Sequence, residues 1–354
     1  MSRFFSSKYS NLTPYVPGEQ PKDVEYVKLN TNESPFPPSP LAKSLAEKES
    51  VKCNLYPDPD VKELTKTVAD YLGVKPSQVL MTNGSDEILN FAFMAFCDEN
   101  TPAVFPDISY GFYKVFAEIN NIPYREIPLK DDFSICVNDH FNARGTVFIA
   151  NPNAPTGLNL SLDKVKEILD NNKENVVVID EAYVDFGGES AVKLIDKYDN
   201  LLVTQTFSKS RSMAGARLGF GVASENIISD LINIKYSTNP YNVNRMTSAL
   251  GIGAIKDDMY FIDNVNDIIR NREYTAENLK KLGFTLTDSK TNFVFAKHPD
   301  IDGKTLYLKL KEKGILVRHF DKQKIKDYNR ITIGSIEQME KFIDAVTQIL
   351  KEIK

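Results

Sequence analysis

Cysteine is scarce in this chain. Cys53, Cys97 and Cys136 leave one thiol unpaired in any disulfide scheme, and their spacing matches no metal-binding pattern. Buried free thiols in a reducing cytosol are therefore expected. The only histidines, His140, His298 and His319, have neither metal nor catalytic-triad spacing, so no metal is expected. Met1 to Ser10 hold no apolar segment of the kind a secretion signal needs, and no apolar run approaches the length of a membrane span. A soluble, cytoplasmic protein is the expectation. The net charge of −5 argues against nucleic acid or an anionic membrane as the main partner, yet leaves room for arginines that bind a small anion. Neither the phosphate loop G-x-x-x-x-G-K-[ST] nor the dinucleotide fingerprint G-x-G-x-x-G occurs, which disfavours a nucleotide hydrolase or a nicotinamide dehydrogenase. Internal repeats and low-complexity tracts are missing as well.

What is present reads as an α/β enzyme scaffold. The length of 354 residues fits one large domain plus a smaller one. Residues 1–40 are rich in proline and cannot form long helices. Phe4, Phe5, Tyr9, Tyr15 and Tyr26 are unsuited to a solvated tail, so an ordered arm packed on the body or on a second subunit is expected. Over 41–240 short apolar strands alternate with helical patterns: 79–82, 103–105, 124–127, 146–150, 176–180, 201–206 and 218–222 read as strands. Val176-Val177-Val178-Ile179 is β-branched without alternation, the mark of a strand covered on both faces. The alternation predicts a doubly wound, mostly parallel sheet whose binding crevice lies at the carboxyl ends of its strands. From 241 to 354 the pattern changes to a smaller α+β C-terminal domain.

The chemistry-bearing residues gather at predicted strand ends. Lys209 follows the strand 201–206 within Thr206-Phe207-Ser208-Lys209, with Arg217 shortly after. A desolvated lysine can form a Schiff base with a carbonyl, and Ser208 with Arg217 suits a phosphate. That pairing suggests pyridoxal 5′-phosphate (PLP). Asp180-Glu181-Ala182-Tyr183 ends another buried strand and offers a carboxylate partner for a pyridinium nitrogen. Thr82-Asn83-Gly84-Ser85-Asp86-Glu87 joins a strand to a helix whose first N–H groups can hold phosphate, although Ser85 or Asp86 could simply cap that helix. Asn151 to Gly157 is dense in Pro, Asn and Gly, as an ordinary turn would be, but it ends a strand on the same rim.

In these motifs the chain resembles the fold-type I PLP-dependent aminotransferases, and among them the histidinol-phosphate aminotransferase branch. Pro14 to Gly18, Leu29 to Pro35, Leu55 to Asp58, Asn83 to Glu87, Asn151 to Gly157, Asp180 to Tyr183, Thr206 to Lys209 and Arg330 to Gly334 follow the family order over nearly the whole chain. The resemblance implies Lys209 as the Schiff-base lysine and proton shuttle, Asp180 against the pyridine nitrogen, and Tyr183 on the ring oxygen. It implies Tyr110 on the ring face, where packing beside Phe112 and Tyr113 is the competing reading. Gly84, Ser85, Asp86, Ser208 and Arg217 would hold the phosphate, with Tyr56 reaching in from a partner subunit of a homodimer. Arg330 and Arg318 would take the substrate's acidic groups unless they serve structural salt bridges, and Tyr15 and Tyr241 would line the substrate pocket unless they merely pack. The family's asparagine before Pro-Thr-Gly is Ala154 here, so its contact would be lost or pass to Asn153 or Tyr183. Near the N-terminus Ser34-Pro35-Phe36-Pro37 also departs from the family's Asn-Pro-Tyr-Gly. The implied reaction is transamination between L-histidinol phosphate and 2-oxoglutarate. An aromatic amino-acid aminotransferase is the main alternative; a threonine-phosphate decarboxylase or a non-catalytic PLP-fold binding protein are more distant ones.

Overall fold

Seven of the apolar runs pair into one sheet in the computed structural model, which describes residues 2–9, 12–21 and 25–353. A two-residue strand in the arm, β1 (Val27–Lys28), precedes them. The sheet strands are β2 (Val79–Thr82), β3 (Ala103–Pro106), β4 (Tyr124–Ile127), β5 (Thr146–Ala150), β6 (Val177–Asp180), β7 (Leu201–Thr206) and β8 (Gly219–Ala223). They run in the order β2-β8-β7-β6-β5-β3-β4. All are parallel except β8, which is antiparallel to both of its neighbours. The doubly wound, mostly parallel sheet expected from the alternation is the architecture found.

The pleat explains why the inner strands are apolar, whereas the edge strand β4 exposes Arg125 and Glu126. Side chains alternate between faces, so a strand with helices on both sides needs apolar residues at every position. Val147, Ile149, Val177, Ile179 and Val203 pack on one face, against the helices Lys62–Leu72, Leu162–Asp170 and Arg245–Lys256. Phe148, Val178 and Leu202 pack on the other, against Ser85–Phe96 and Glu225–Thr238. Helix Arg245–Lys256 corrects the expected division at residue 240. Val243, Ile252, Ala254 and Ile255 are buried in the core of the large sheet, and Gly253 lies so close to helix Pro40–Ser50 that an added Cβ would meet Ala42 Cα at 2.5 Å.

A second core lies beyond Asp258. Strands β9 (Thr285–Leu286), β10 (Phe293–Lys297), β12 (Arg318–His319) and β13 (Asn329–Thr332) form an antiparallel sheet in the order β12-β13-β10-β9. The intervening β11 (Ile315–Leu316) does not join it; it pairs in parallel with β1 of the arm. Helices Asp258–Lys281 and Ile336–Glu352 cover this sheet, the latter opened by a capping box in which Ser335 and Gln338 satisfy each other's backbone N–H groups. Leu29 from the arm and Phe186 from the large sheet's side are buried in the same cluster, tying the units together.

Part of the arm packs as expected. Arg318 donates to the carbonyls of Val16 and Pro17, and Asn30 Nδ2 donates to Glu19 O. Phe4, by contrast, is exposed. All three cysteines are free, but only Cys97 is buried, so the expectation of buried thiols fails for the exposed Cys53 and the half-buried Cys136. Among the described residues there is no cluster suited to a metal ion and no helix long and apolar enough to cross a membrane.

Candidate active site

The carboxyl ends of β6 and β7 open into a cavity of about 340 Å³ lined by Lys209, Asp180, Tyr183, Tyr110, Ser85, Asp86, Ser208 and Arg217 among others. Nearly every cofactor residue expected from the sequence therefore meets in one place. Chain separation did not matter; parallel strands end on one rim, and each loop leaving that rim delivers its side chain there.

Asp180 is the last residue of β6 and is almost wholly buried. Tyr113 Oη donates to its Oδ2 at 2.9 Å, and Thr204 Oγ1 donates to its Oδ1 at 3.2 Å. Burial pushes its carboxyl up to about 6, against the lowering effect of those two hydrogen bonds. Neither partner is a cation, so the acid is poised beside a cavity with its charge uncompensated. Glu181 points elsewhere, held by Ser190, the Ala191 N–H and Gln205, and burial pushes it up to about 7.

One end of the cavity is an anion cradle. Helix Ser85–Phe96 begins at Gly84, whose φ of +78° is open to glycine, and no side chain caps it. The capping role considered for Ser85 or Asp86 is thus absent, and the first-turn amides face the cavity end with the positive end of the helix dipole. The fit is close. A Cβ on Gly84 would stand 2.6 Å from Arg217 Nη2, and one on Gly219 would stand 2.4 Å from the Ser85 nitrogen. Arg217 Nη2 donates to Asp86 Oδ2 at 3.0 Å, and Tyr110 Oη donates to Asp86 Oδ1 at 2.6 Å. Asp86 thereby holds both the cation and the aromatic ring at the cavity wall.

Lys209 reaches into the cavity from the loop after β7. Its Nζ lies 3.5 Å from Thr31 O and 5.9 Å from the centre of the Tyr183 ring. A second cavity of about 790 Å³ adjoins the first and shares Thr31, Tyr110, Ala154, Tyr183 and Lys209 with it. Tyr15, Arg318 and Arg330 line this outer chamber. Arg330 Nη2 donates to Asn30 O, while its Nε is shielded from solvent and has no partner. Burial lowers the Arg330 pKa from its usual value, so an anion beside it would offset an existing desolvation cost. Among the described residues neither Arg318 nor Arg330 forms a salt bridge; their partners are backbone carbonyls.

Two expectations need correction. Asn153 does not line the cavity: Nδ2 donates to Ile108 O and Thr156 Oγ1, and Oδ1 accepts from Ser109 Oγ, so both amide protons are spent on the turn and on the loop after β3. Ala154 lines the cavity in its place and brings no donor. Tyr241 does not line the pocket of its own chain. It stacks on the exposed Tyr56 with ring centres 4.6 Å apart, so both tyrosines lie together on the surface. The sequence reading also missed Tyr113, Thr204 and Asn32. The signal for Thr204 was register, since it stands opposite Asp180 on the neighbouring strand; Tyr113 and Asn32 carried none.

Phosphate cradle, buried acid and lysine are spaced around one cavity in a way that fits PLP: a helix N-terminus and arginine for the phosphate, an unpaired carboxylate for the ring nitrogen, an amine for the aldehyde. The fold and site together define an aminotransferase of the doubly wound α/β type. Residues 24–346 match the family model "Aminotransferase class I and II", and the chain belongs to that family. It is 53% identical to the histidinol-phosphate aminotransferase of Brachyspira hyodysenteriae over 99% of this chain and 100% of that protein. To the histidinol-phosphate aminotransferase of Clostridium botulinum it is 46% identical over the full length of both. Among solved structures, that of the histidinol-phosphate aminotransferase from Sinorhizobium meliloti, in complex with pyridoxal-5′-phosphate, aligns with a TM-score of 0.91 at 21% identity, covering 100% of this chain and 99% of that one. The Clostridium acetobutylicum enzyme of the same name aligns at 0.83 and 25% identity, covering 92% and 99%.

Proposed function

We propose that this protein transfers the amino group of L-histidinol phosphate to 2-oxoglutarate, giving imidazole-acetol phosphate and L-glutamate, with PLP as cofactor. The observation that carries the reading is the junction at Lys209: one cavity shaped for the cofactor opens into a second that ends on Arg318 and Arg330. Full-length identity to enzymes of that name supports the choice of substrate.

When bound, PLP supplies an electron-accepting ring for the pair left as the substrate Cα–H bond breaks. The chain's own residues do the rest. Asp180 would face the ring nitrogen, and a cationic partner there would draw its carboxyl back toward the ordinary range. Lys209 Nζ would hold the cofactor through its aldehyde and, as a free amine, would take the proton from the substrate Cα and pass it to the cofactor side, the shift that transamination needs. The amides of Ser85 and Asp86, Ser208 Oγ and Arg217 would hold the phosphate, Tyr110 would cover the ring face, and Tyr183 would donate its hydroxyl to the ring oxygen. Arg330 and Arg318 would bind the phosphate of the amino donor and a carboxylate of the 2-oxo acid acceptor, since both are oxyanions that a guanidinium fork can grip. Tyr15 walls the outer chamber and packs against Phe112 with tilted rings, centres 4.5 Å apart.

The working unit in this proposal is a homodimer in which Tyr56, with Tyr241 stacked on it, reaches the partner's site. The exposure of Leu55, Tyr56 and Tyr241 supports it. Sedimentation at micromolar protein should give twice the chain mass of 39.9 kDa.

An aromatic amino-acid aminotransferase is the second reading, favoured by Tyr15, Phe105, Tyr110 and Phe320 around the outer chamber. Comparing kcat/KM for histidinol phosphate and phenylalanine separates the two. Preference for histidinol phosphate supports the first; equal or greater efficiency with phenylalanine overturns it. Borohydride reduction of PLP-loaded protein, followed by peptide mass mapping, should place the cofactor on Lys209 alone.

A further inference from the structure

Asn32 sits in the arm with φ +56°, almost wholly buried, and its side chain is oriented without ambiguity. Thr332 Oγ1, on β13, accepts from the Asn32 backbone N–H at 3.0 Å and donates to Asn32 Oδ1 at 3.0 Å. A hydroxyl has one proton, so accepting from the backbone and donating to the amide oxygen satisfies both contacts. With Oδ1 turned to Thr332, the amide nitrogen faces the other way and donates to Tyr183 Oη at 2.9 Å. Asn292 Nδ2 donates to Asn32 O and fixes the backbone from β10's side.

We infer that Asn32 is a positioning residue that forces the Tyr183 hydroxyl to donate into the cofactor cavity. The phenol oxygen accepts from Asn32, so its own proton must go elsewhere, and the cavity side is where Tyr183 is open. The inference rests on the proposed cofactor chemistry, in which Tyr183 serves the ring oxygen. It is sharpened by the turn at 151–157: Asn153 spends its amide internally and Ala154 has none to offer, so neither supplies a second side-chain donor. The relay Thr332–Asn32–Tyr183 also starts two residues from Arg330 on β13, so the strand that presents the substrate arginine orients the cofactor's donor as well.

The charged groups facing the cavities that Tyr183 lines include Lys209, 5.9 Å from the ring centre, with Glu33, Asp86, Asp180 and Arg217, and Arg330 and Arg318 on the outer side. All are left unchanged in the variants. A donated hydrogen bond stabilises the anionic ring oxygen, so losing it makes the bound chromophore hold its proton to higher pH. The test is a pH titration of the visible band of full-length, PLP-loaded protein. In Asn32→Asp the carboxylate can only accept, and it pulls the Tyr183 proton out of the cavity. Its midpoint should rise by about one pH unit, the size expected for a hydrogen bond to a charged acceptor. Tyr183→Phe should rise similarly, and Thr332→Val, which unlocks the amide, should rise by less. In the Tyr183→Phe background Asn32→Ala should add no further shift. An unshifted midpoint in Asn32→Asp and Thr332→Val overturns the inference, as does an Asn32→Ala shift that persists in full without the tyrosine hydroxyl. Wild-type protein that takes up no PLP overturns instead the cofactor reading beneath it.

Discussion

Removing the charge of Asp180 should make the cofactor-free protein more stable while abolishing its chemistry. Burial raises this carboxyl from 3.8 to about 6, with Tyr113 and Thr204 as its only side-chain partners among the described residues. The sign follows from linkage: the folded state holds the proton more tightly than the unfolded chain, so stability falls as pH rises from about 4 to about 6 and the deficit stays complete above that. Two pH units at about 1.4 kcal/mol each give a deficit of about 3 kcal/mol. The amide introduced by Asp180→Asn keeps an acceptor for Tyr113 and carries no charge. With roughly 2.1 cal/mol/K of unfolding entropy per residue, 3 kcal/mol corresponds to a rise of about 4 °C in Tm for a chain of 354 residues. Thermal unfolding of PLP-free wild type and variant at pH 8 should show that gain, shrinking toward zero at pH 4. Adding saturating PLP should reverse the order, because the wild-type carboxylate then gains a cationic partner and the variant does not. A PLP-free variant less stable than wild type at pH 8, or a difference that ignores pH, would refute the claim that Asp180 is an unpaired buried charge awaiting its partner.

Gly219→Ala should lower stability by about 1–3 kcal/mol and weaken PLP binding at least tenfold, because the added Cβ collides with the Ser85 nitrogen and Gly84 carbon; denaturant unfolding and a fluorescence titration with PLP read the two effects. Arg330→Met should reduce kcat/KM for histidinol phosphate by roughly 10- to 150-fold, the worth of a charge-assisted hydrogen bond, while leaving PLP affinity within twofold. Lys209→Ala should cut kcat by at least roughly 10²–10⁴-fold, the scale of a lost proton-transfer group, with added methylamine restoring part of it. Ser335→Ala removes the cap of the last helix and should cost about 1 kcal/mol in denaturant unfolding without changing kcat.

The large sheet was readable because its inner strands are built on continuous apolar runs and the chain alternates such runs with amphipathic helices. Strand ends were accurate to a residue or so: 79–82, 124–127, 146–150 and 201–206 match the structure at both ends. The division into units was less legible. Helix Arg245–Lys256 carries Gly251 and Gly253, which local pattern reads as weakness, whereas the fold uses them to press against Leu64, Leu218 and Ala42. The two-residue strands β1 and β11 are too short to show a period, and their pairing joins residues far apart in the chain.

At the site the division follows the same physical line. Sequence alone singled out the candidates: a lysine after one strand, an acid after another and a glycine-led helix start are local events, and the parallel sheet brings them to one rim. Tertiary structure alone decided orientation. Whether Asn153 faces the cavity or the turn, whether Tyr241 lines its own pocket or stacks on Tyr56, and which way the Asn32 amide points depend on hydrogen-bond partners distant in sequence. A side chain's identity is written in the chain; the direction of its donors is set by whatever the fold places within 3 Å of them.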